Sequence, residues 1–242
     1  MSIRARTCLR MAFSVLSAGT LITAAISTQP AAAEEKNPCE ALSQGQSKYS
    51  AGRAKHVVFA VAADYGTTEV DIVECAKKGG RWKQTLATDG HVGRSGFAEP
   101  GTKREGDGKS PTGSFTLTEA FGEGDPGTAL PYRTLRESGD CWGSTIGDAR
   151  YNRYYPGTCL PADENLSGYM LSGPYKQAVV VNYNRPPDSP IVQGDGSAIF
   201  MHIGSAQTAG CVSMGRSELE TVMRTLRPYD RIIMGPRQVL FG

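Results

Sequence analysis

From His56 to Pro236 the sequence is a succession of short β-branched segments, and glycine or proline cuts in before any of them grows long. "HVVFAVAA" (56–63), "TEVDIVECAK" (68–77), "KQAVVVNYN" (176–184) and "SAIFMHI" (197–203) carry the composition and partial alternation of strands. Another strand is expected at about 114–120, and "DRIIMGP" (230–236) reads as the last. "GGRWKQTLATDG" (79–90) extends the first two strands into a meander, with Trp82, Gln84 and Leu86 on one face and a turn at Asp89-Gly90. With 29 glycines and 14 prolines in 242 residues, turns are frequent and long helices are disfavoured. One segment has helical periodicity. In "RSELETVMRTLRP" (216–228), Leu219, Val222, Met223 and Leu226 fall at i, i+3, i+4 and i+7, Ser217 and Glu220 have capping-box spacing, and Pro228 is the stop. The pattern predicts a mainly β fold with one helix near the C-terminus.

The first 33 residues do not fit that pattern. Arg4, Arg6 and Arg10 precede a largely apolar run from Met11 to about Ile26, and Ala31-Ala32-Ala33 supplies an A-x-A-type cleavage site, as in a secretory signal peptide. Ser14, Ser17, Thr20 and Thr23 interrupt the run, which falls short of the roughly 20 apolar residues of a membrane anchor. Cleavage after Ala33 removes three arginines and no acid, so a formal charge of +2 becomes 2 − 3 = −1. A chain this near neutrality has no electrostatic basis for binding nucleic acid or an anionic membrane. The expected location is secreted or periplasmic. Residues 34–54 read as a polar, extended arm, and 55–242 as one domain with a sizeable core.

Five cysteines remain after Cys8 leaves with the signal, so at least one is unpaired within the chain. Four cysteines pair in three ways. Cys141–Cys159 is favoured because it closes a local Tyr-rich loop, and Cys39–Cys75 because it ties the arm to the first strands. Cys211 is then the free thiol, and a lone thiol in an oxidising compartment asks for a reason. The loop 141–159 also holds Trp142, Tyr151, Tyr154 and Tyr155, which either line a groove or pack beneath the staple.

"GTKREGDGKSPTGSF" (101–115) is a loop dense in Gly, Lys, Arg and Asp. It is not a phosphate-binding loop: Lys103 stands five positions before Gly108, where that motif needs glycine, and no long helix follows. Turn-forming residues of a solvated loop are the plain alternative.

"FMHIGSAQTAGCVSM" (200–214) sets His202 at a strand end nine positions before Cys211. Within hydrogen-bond reach an imidazole can take the thiol proton and leave a thiolate nucleophile. Equally, Cys211 could be a small buried hydrophobe and His202 a satisfied strand-end residue. A metal site has less support, since neither C-x-x-C nor H-E-x-x-H occurs.

"SAIFMHI" followed by "TAGCVSM", with "REGDGKSPTGSF" (104–115) upstream, resembles the signature of the L,D-transpeptidase catalytic domain, the YkuD-like family. The likeness runs from about Val57 to Met234 and rests on two separated motifs in the right order. It implies a YkuD-like β-sandwich with one C-terminal helix after the catalytic cysteine, acting on peptidoglycan stem peptides without metal or organic cofactor. Cys211 would be the nucleophile and His202 the base, oriented by the backbone carbonyl of Ile203. The Gly210 and Cys211 amides would form the oxyanion hole, and Arg104 and Lys109 are candidate partners of substrate carboxylates, the alternative being solvated loop charges. The implied reaction releases terminal D-alanine, holds the remaining peptide as a thioester and passes it to an amine as a 3→3 cross-link. Hydrolysis by the same chemistry, as an L,D-carboxypeptidase or other peptidoglycan hydrolase, is the enzymatic alternative, and a non-catalytic wall-binding module the other. This sequence has Ala209 where most members carry a second histidine, and Ser213 where a basic residue or asparagine is common.

Overall fold

A computed structural model describes residues 37–242; the expected signal peptide, 1–33, lies outside them. Nine strands form the main sheet: β1 (His56–Ala62), β2 (Glu69–Lys78), β3 (Arg81–His91), β4 (Gly113–Gly122), β5 (Tyr132–Thr134), β6 (Gln177–Val181), β7 (Phe200–Ile203), β8 (Val212–Met214) and β9 (Arg231–Pro236). Their order is β6-β7-β8-β3-β2-β1-β9-β4-β5, and β6 also pairs with β4, so the sheet returns on itself. The fold is mainly β, with opposite inner faces packed together as in a sandwich. The β1-β2-β3 meander is present.

Alternation along β1 decides which residues face inward. Val58, Ala60 and Ala62 join the inner core, while Val57, Phe59 and Val61 face outward. The inner core takes in Val179 and Val181 of β6, Met201 of β7, Val212 and Met214 of β8, and Ile232 and Met234 of β9. Helix α3 (Arg216–Thr225) lays Leu219, Val222 and Met223 on it, each buried, at about 1.5–3 kcal/mol per side chain. Its N-terminus departs from expectation. Only Gly215 separates the helix from β8, so Ser217 already stands in the first turn; it bonds Glu218, and Glu220 pairs with Arg216 and Arg224 instead of closing a capping box.

The outward side of β1 is covered by α1 (Pro38–Ser43) and α4 (Arg237–Phe241). The expected extended arm is therefore partly helical. Asn37 accepts from the amides of Cys39 and Glu40, Pro38 occupies the first turn, and Cys39 is disulfide-bonded to Cys75 of β2. Asp89-Gly90 also differs from expectation, lying within β3 rather than in a turn. A Cβ on Gly90 would come within 2.7 Å of both the Ile72 side chain and the Ser213 carbonyl. Glycine there serves close strand packing, not chain reversal.

The outward residues of β6 and β7, Ala178, Val180 and Phe200, meet a second covering formed by the segment between β4 and β6. A small sheet there places Asp140–Trp142 between Tyr154–Pro156 and Glu164–Asn165, stapled by the Cys141–Cys159 disulfide. Helix α2 (Leu166–Ser172) follows, with the Asn165 side chain accepting from the Gly168 amide. Trp142, Tyr151 and Tyr155 are buried; Tyr154 is half-buried under the Arg133 guanidinium. Among the described residues no helix is long and apolar enough to cross a membrane.

Candidate active site

Strands β7 and β8 run parallel, with Met201 opposite Val212 and His202 opposite Ser213. Met201 and Val212 point into the inner core, so alternation puts Phe200, His202 and Cys211 on the other face, toward the covering segment. His202 and Cys211 line one cavity of about 390 Å³, together with Glu105, Glu164, Tyr169 and Tyr175.

Backbone groups surround the sulfur. The Phe200 amide donates to Cys211 Sγ at 3.4 Å, and Sγ donates to the Ala198 carbonyl at 3.2 Å. Ala198 has φ 52°, a left-handed conformation that costs a non-glycine residue about 1–3 kcal/mol. Its amide donates to Asn152 Oδ1, and the Asn152 side-chain amide donates to the carbonyls of Tyr183 and Asn184. The covering segment thus helps hold the backbone turn that receives the thiol.

The turn before Cys211 is held from two sides. The Gly210 amide donates to Thr208 Oγ1 at 3.0 Å, and that hydroxyl donates to the Cys211 carbonyl at 2.7 Å. The Gly210 amide, expected at an oxyanion hole, therefore has an internal partner. Gly210 has φ 154°, and a Cβ there would meet the Lys109 carbonyl at 3.0 Å. Ser110, fully buried, donates to the Gly210 carbonyl at 2.7 Å and accepts from the Gly93 amide at 3.0 Å. Ser110 belongs to the upstream glycine-rich stretch, which is how two motifs a hundred residues apart make one turn.

His202 is buried, and its Nδ1 lies 2.9 Å from the Ile203 carbonyl. A carbonyl only accepts, so Nδ1 carries the proton and Nε2 keeps a free lone pair. Burial lowers the imidazole pKa, and the Ile203 bond works against that. The Cys211 thiol is pushed up to about 12, first by burial and then by the Glu164 carboxylate; the Phe200 amide, the Tyr175 hydroxyl and Lys103 oppose the rise. In the resting site both groups are neutral at pH 7. Tyr175 links the parts: its hydroxyl donates to Glu164 Oε1 at 2.6 Å, and its ring meets His202 edge-on at 5.4 Å. Among the described residues, no group of three or more His, Cys, Asp or Glu side chains converges as metal ligands.

The family of the L,D-transpeptidase catalytic domain matches residues 75–234. The chain belongs to that family. Among solved structures it is similar to the helical cell shape determining protein Pgp2 from Campylobacter jejuni, at 14% identity and TM-score 0.42, over 85% of this chain and 57% of that one. It is also similar to Bdellovibrio bacteriovorus Bd1075, at 12% identity and TM-score 0.39, over 75% of this chain and 48% of that one. This chain thus spans about half the length of each. A search of curated proteins finds no match.

Within this L,D-transpeptidase domain the expected substrate cations are displaced. Arg104 is exposed and pairs with Asp195, and neither it nor Lys109 lines the cavity. The cations that do are Arg94 and Lys103. Ser213 is buried beside His202, and its hydroxyl donates to the Ala206 carbonyl. Sequence reading missed Ser110, Ala198, Glu164 and Tyr175. Only Ser110 had a signal, its place inside the second motif.

Proposed function

We propose that this protein is a peptidoglycan L,D-transpeptidase that works through a Cys211 thioester. The observation carrying this reading is the shared cavity, where a buried thiol and an imidazole with its tautomer fixed by Ile203 sit on one face of adjacent parallel strands. When a stem tetrapeptide enters, the thiol leaves the Ala198 carbonyl and passes its proton to His202 Nε2; catalytic hydrogen bonds commonly tighten only in the complex. Sγ attacks the carbonyl of the third residue. The Cys211 amide is the oxyanion donor we assign, while Gly210 supplies the backbone conformation. As the C–N bond breaks, the imidazolium gives its proton to the departing D-alanine amine, leaving an acyl thioester. An amine from a second stem then attacks, loses its proton to His202 and releases the thiol as the 3→3 cross-link forms.

Residues 55–242 constitute the catalytic domain in this reading. Two disulfides fit an oxidising envelope compartment, either secreted or periplasmic. The test is product analysis of purified protein with disaccharide-tetrapeptide, using Cys211→Ala as control. Cross-linked dimer and free D-alanine, both absent with Cys211→Ala, are expected. Tripeptide and D-alanine without dimer would replace transfer by carboxypeptidase activity, and no Cys211-dependent product would leave a wall-binding module.

A further inference from the structure

The cavity beside Cys211 has one cation whose charge is not used inside the protein. Lys103 is buried and spends its ammonium on Asp107 Oδ1 and the Arg104 carbonyl, each at 2.8 Å. Arg94 is exposed, and among the described residues no carboxylate pairs with it. Its backbone is nonetheless fixed: the Arg94 amide donates to the Thr208 carbonyl at 2.8 Å, and Gly93 bridges to Thr208. Its side chain lies along the glycine-rich loop. A Cβ on Gly108, which has φ 70°, would stand 3.0 Å from Arg94 Cζ and 3.2 Å from Cγ. Gly108 thus leaves the space along which the guanidinium lies, beside the turn that carries Cys211.

The cavity's carboxylates are already engaged. Glu105 Oε2 accepts from Tyr151 and Ser197, and Glu164 Oε1 from Tyr175. An entering peptide therefore meets acids held by hydroxyl groups and a guanidinium that, among the described residues, has no carboxylate partner. Such a planar fork matches a carboxylate in two-point contact. We propose that Arg94 is a specificity-determining residue that binds a free carboxylate of the peptide near the scissile bond. This rests on the peptide-donor reading above, and it makes amidation of that carboxylate the modification the enzyme discriminates against.

Binding can be measured without chemistry. In the Cys211→Ala protein, calorimetry with synthetic stem tetrapeptides would compare a free-acid peptide with two amidated forms, one at the terminal carboxylate and one at the diamino-acid side-chain carboxylate. The expected result is a loss of about tenfold in affinity on amidating one of these carboxylates, and the same loss for the free-acid peptide when Arg94→Gln is added. Arg94→Gln should then cost the amidated peptide nothing further, and Arg94→Lys should restore part of the affinity. Arg94 is exposed, so an unchanged melting temperature verifies folding. An equal effect of Arg94→Gln on all three peptides, or none on any, overturns the proposal. Failure of the underlying reading looks different: wild-type protein would bind the peptides and never form a thioester.

Discussion

The Cys211 thiol donates to the backbone carbonyl of Ala198, at 3.2 Å, rather than to His202. With the thiol pushed up to about 12 and His202 lowered, the resting pair is not a thiolate–imidazolium ion pair. Alkylation of Cys211 by iodoacetamide should therefore keep accelerating with pH beyond the free-thiol value of about 8.5. A plateau already reached near neutrality would contradict a neutral resting thiol.

Glu164 and Tyr175 act on that thiol in opposite directions. The Glu164 carboxylate disfavours the thiolate, and the Tyr175 hydroxyl favours it. Burial raises the Glu164 pKa, so at alkaline pH, where its carboxyl is ionised, Glu164→Gln removes a negative charge, and Cys211 should titrate lower and alkylate faster. Tyr175→Phe should shift the titration upward. A pH profile that moves the same way in both variants would refute these assignments.

Ser110 joins the glycine-rich loop to the Cys211 turn through the Gly93 amide and the Gly210 carbonyl. Ser110→Ala leaves both buried groups without that hydroxyl, at a cost of about 1–3 kcal/mol. A lower melting temperature is expected, with slower Cys211 acylation even at temperatures where the variant is fully folded. Wild-type acylation in the folded variant would mean that Ser110 only stabilises.

Asp140 anchors the covering segment. Burial raises its pKa, but bonds from Arg136 and the Tyr154 hydroxyl outweigh burial and hold it below the usual carboxylate value. A folded pKa below the unfolded one, about 3.9, gives stability that is present above that value and lost as pH falls through the folded pKa. Urea unfolding from pH 7 to pH 3 should show an acid loss that is shallower in Asp140→Asn, which starts less stable at pH 7. Parallel curves for the two proteins would remove Asp140 from the acid response.

The strands and the buried stripe of α3 are legible because periodicity records which face a residue presents to a core, as Val58 and Leu219 do. The disulfides follow from cysteine number and local spacing. Features set by distant partners were not legible. Asp89-Gly90 has a turn's composition, yet Gly90 answers the nearness of Ile72 and Ser213. Ser217 and Glu220 have a cap's spacing, but the cap depends on where β8 releases the chain. At the site, the family resemblance pointed to Arg104 and Lys109 of the glycine-rich loop, whereas the folded chain carries Arg94 and Lys103 to the cavity. Tyr175 and Glu164 reach His202 and Cys211 only through the covering segment, which has no motif to announce it.

Intact-protein mass spectrometry of mature protein mixed with a stem tetrapeptide asks whether Cys211 takes the peptide as an acyl group. A Cys211 thioester gives a mass increase equal to the peptide minus free D-alanine, mapped to Cys211, removed by hydroxylamine and absent in Cys211→Ala. D-Alanine release that persists in Cys211→Ala, or an adduct on any other residue, would contradict it.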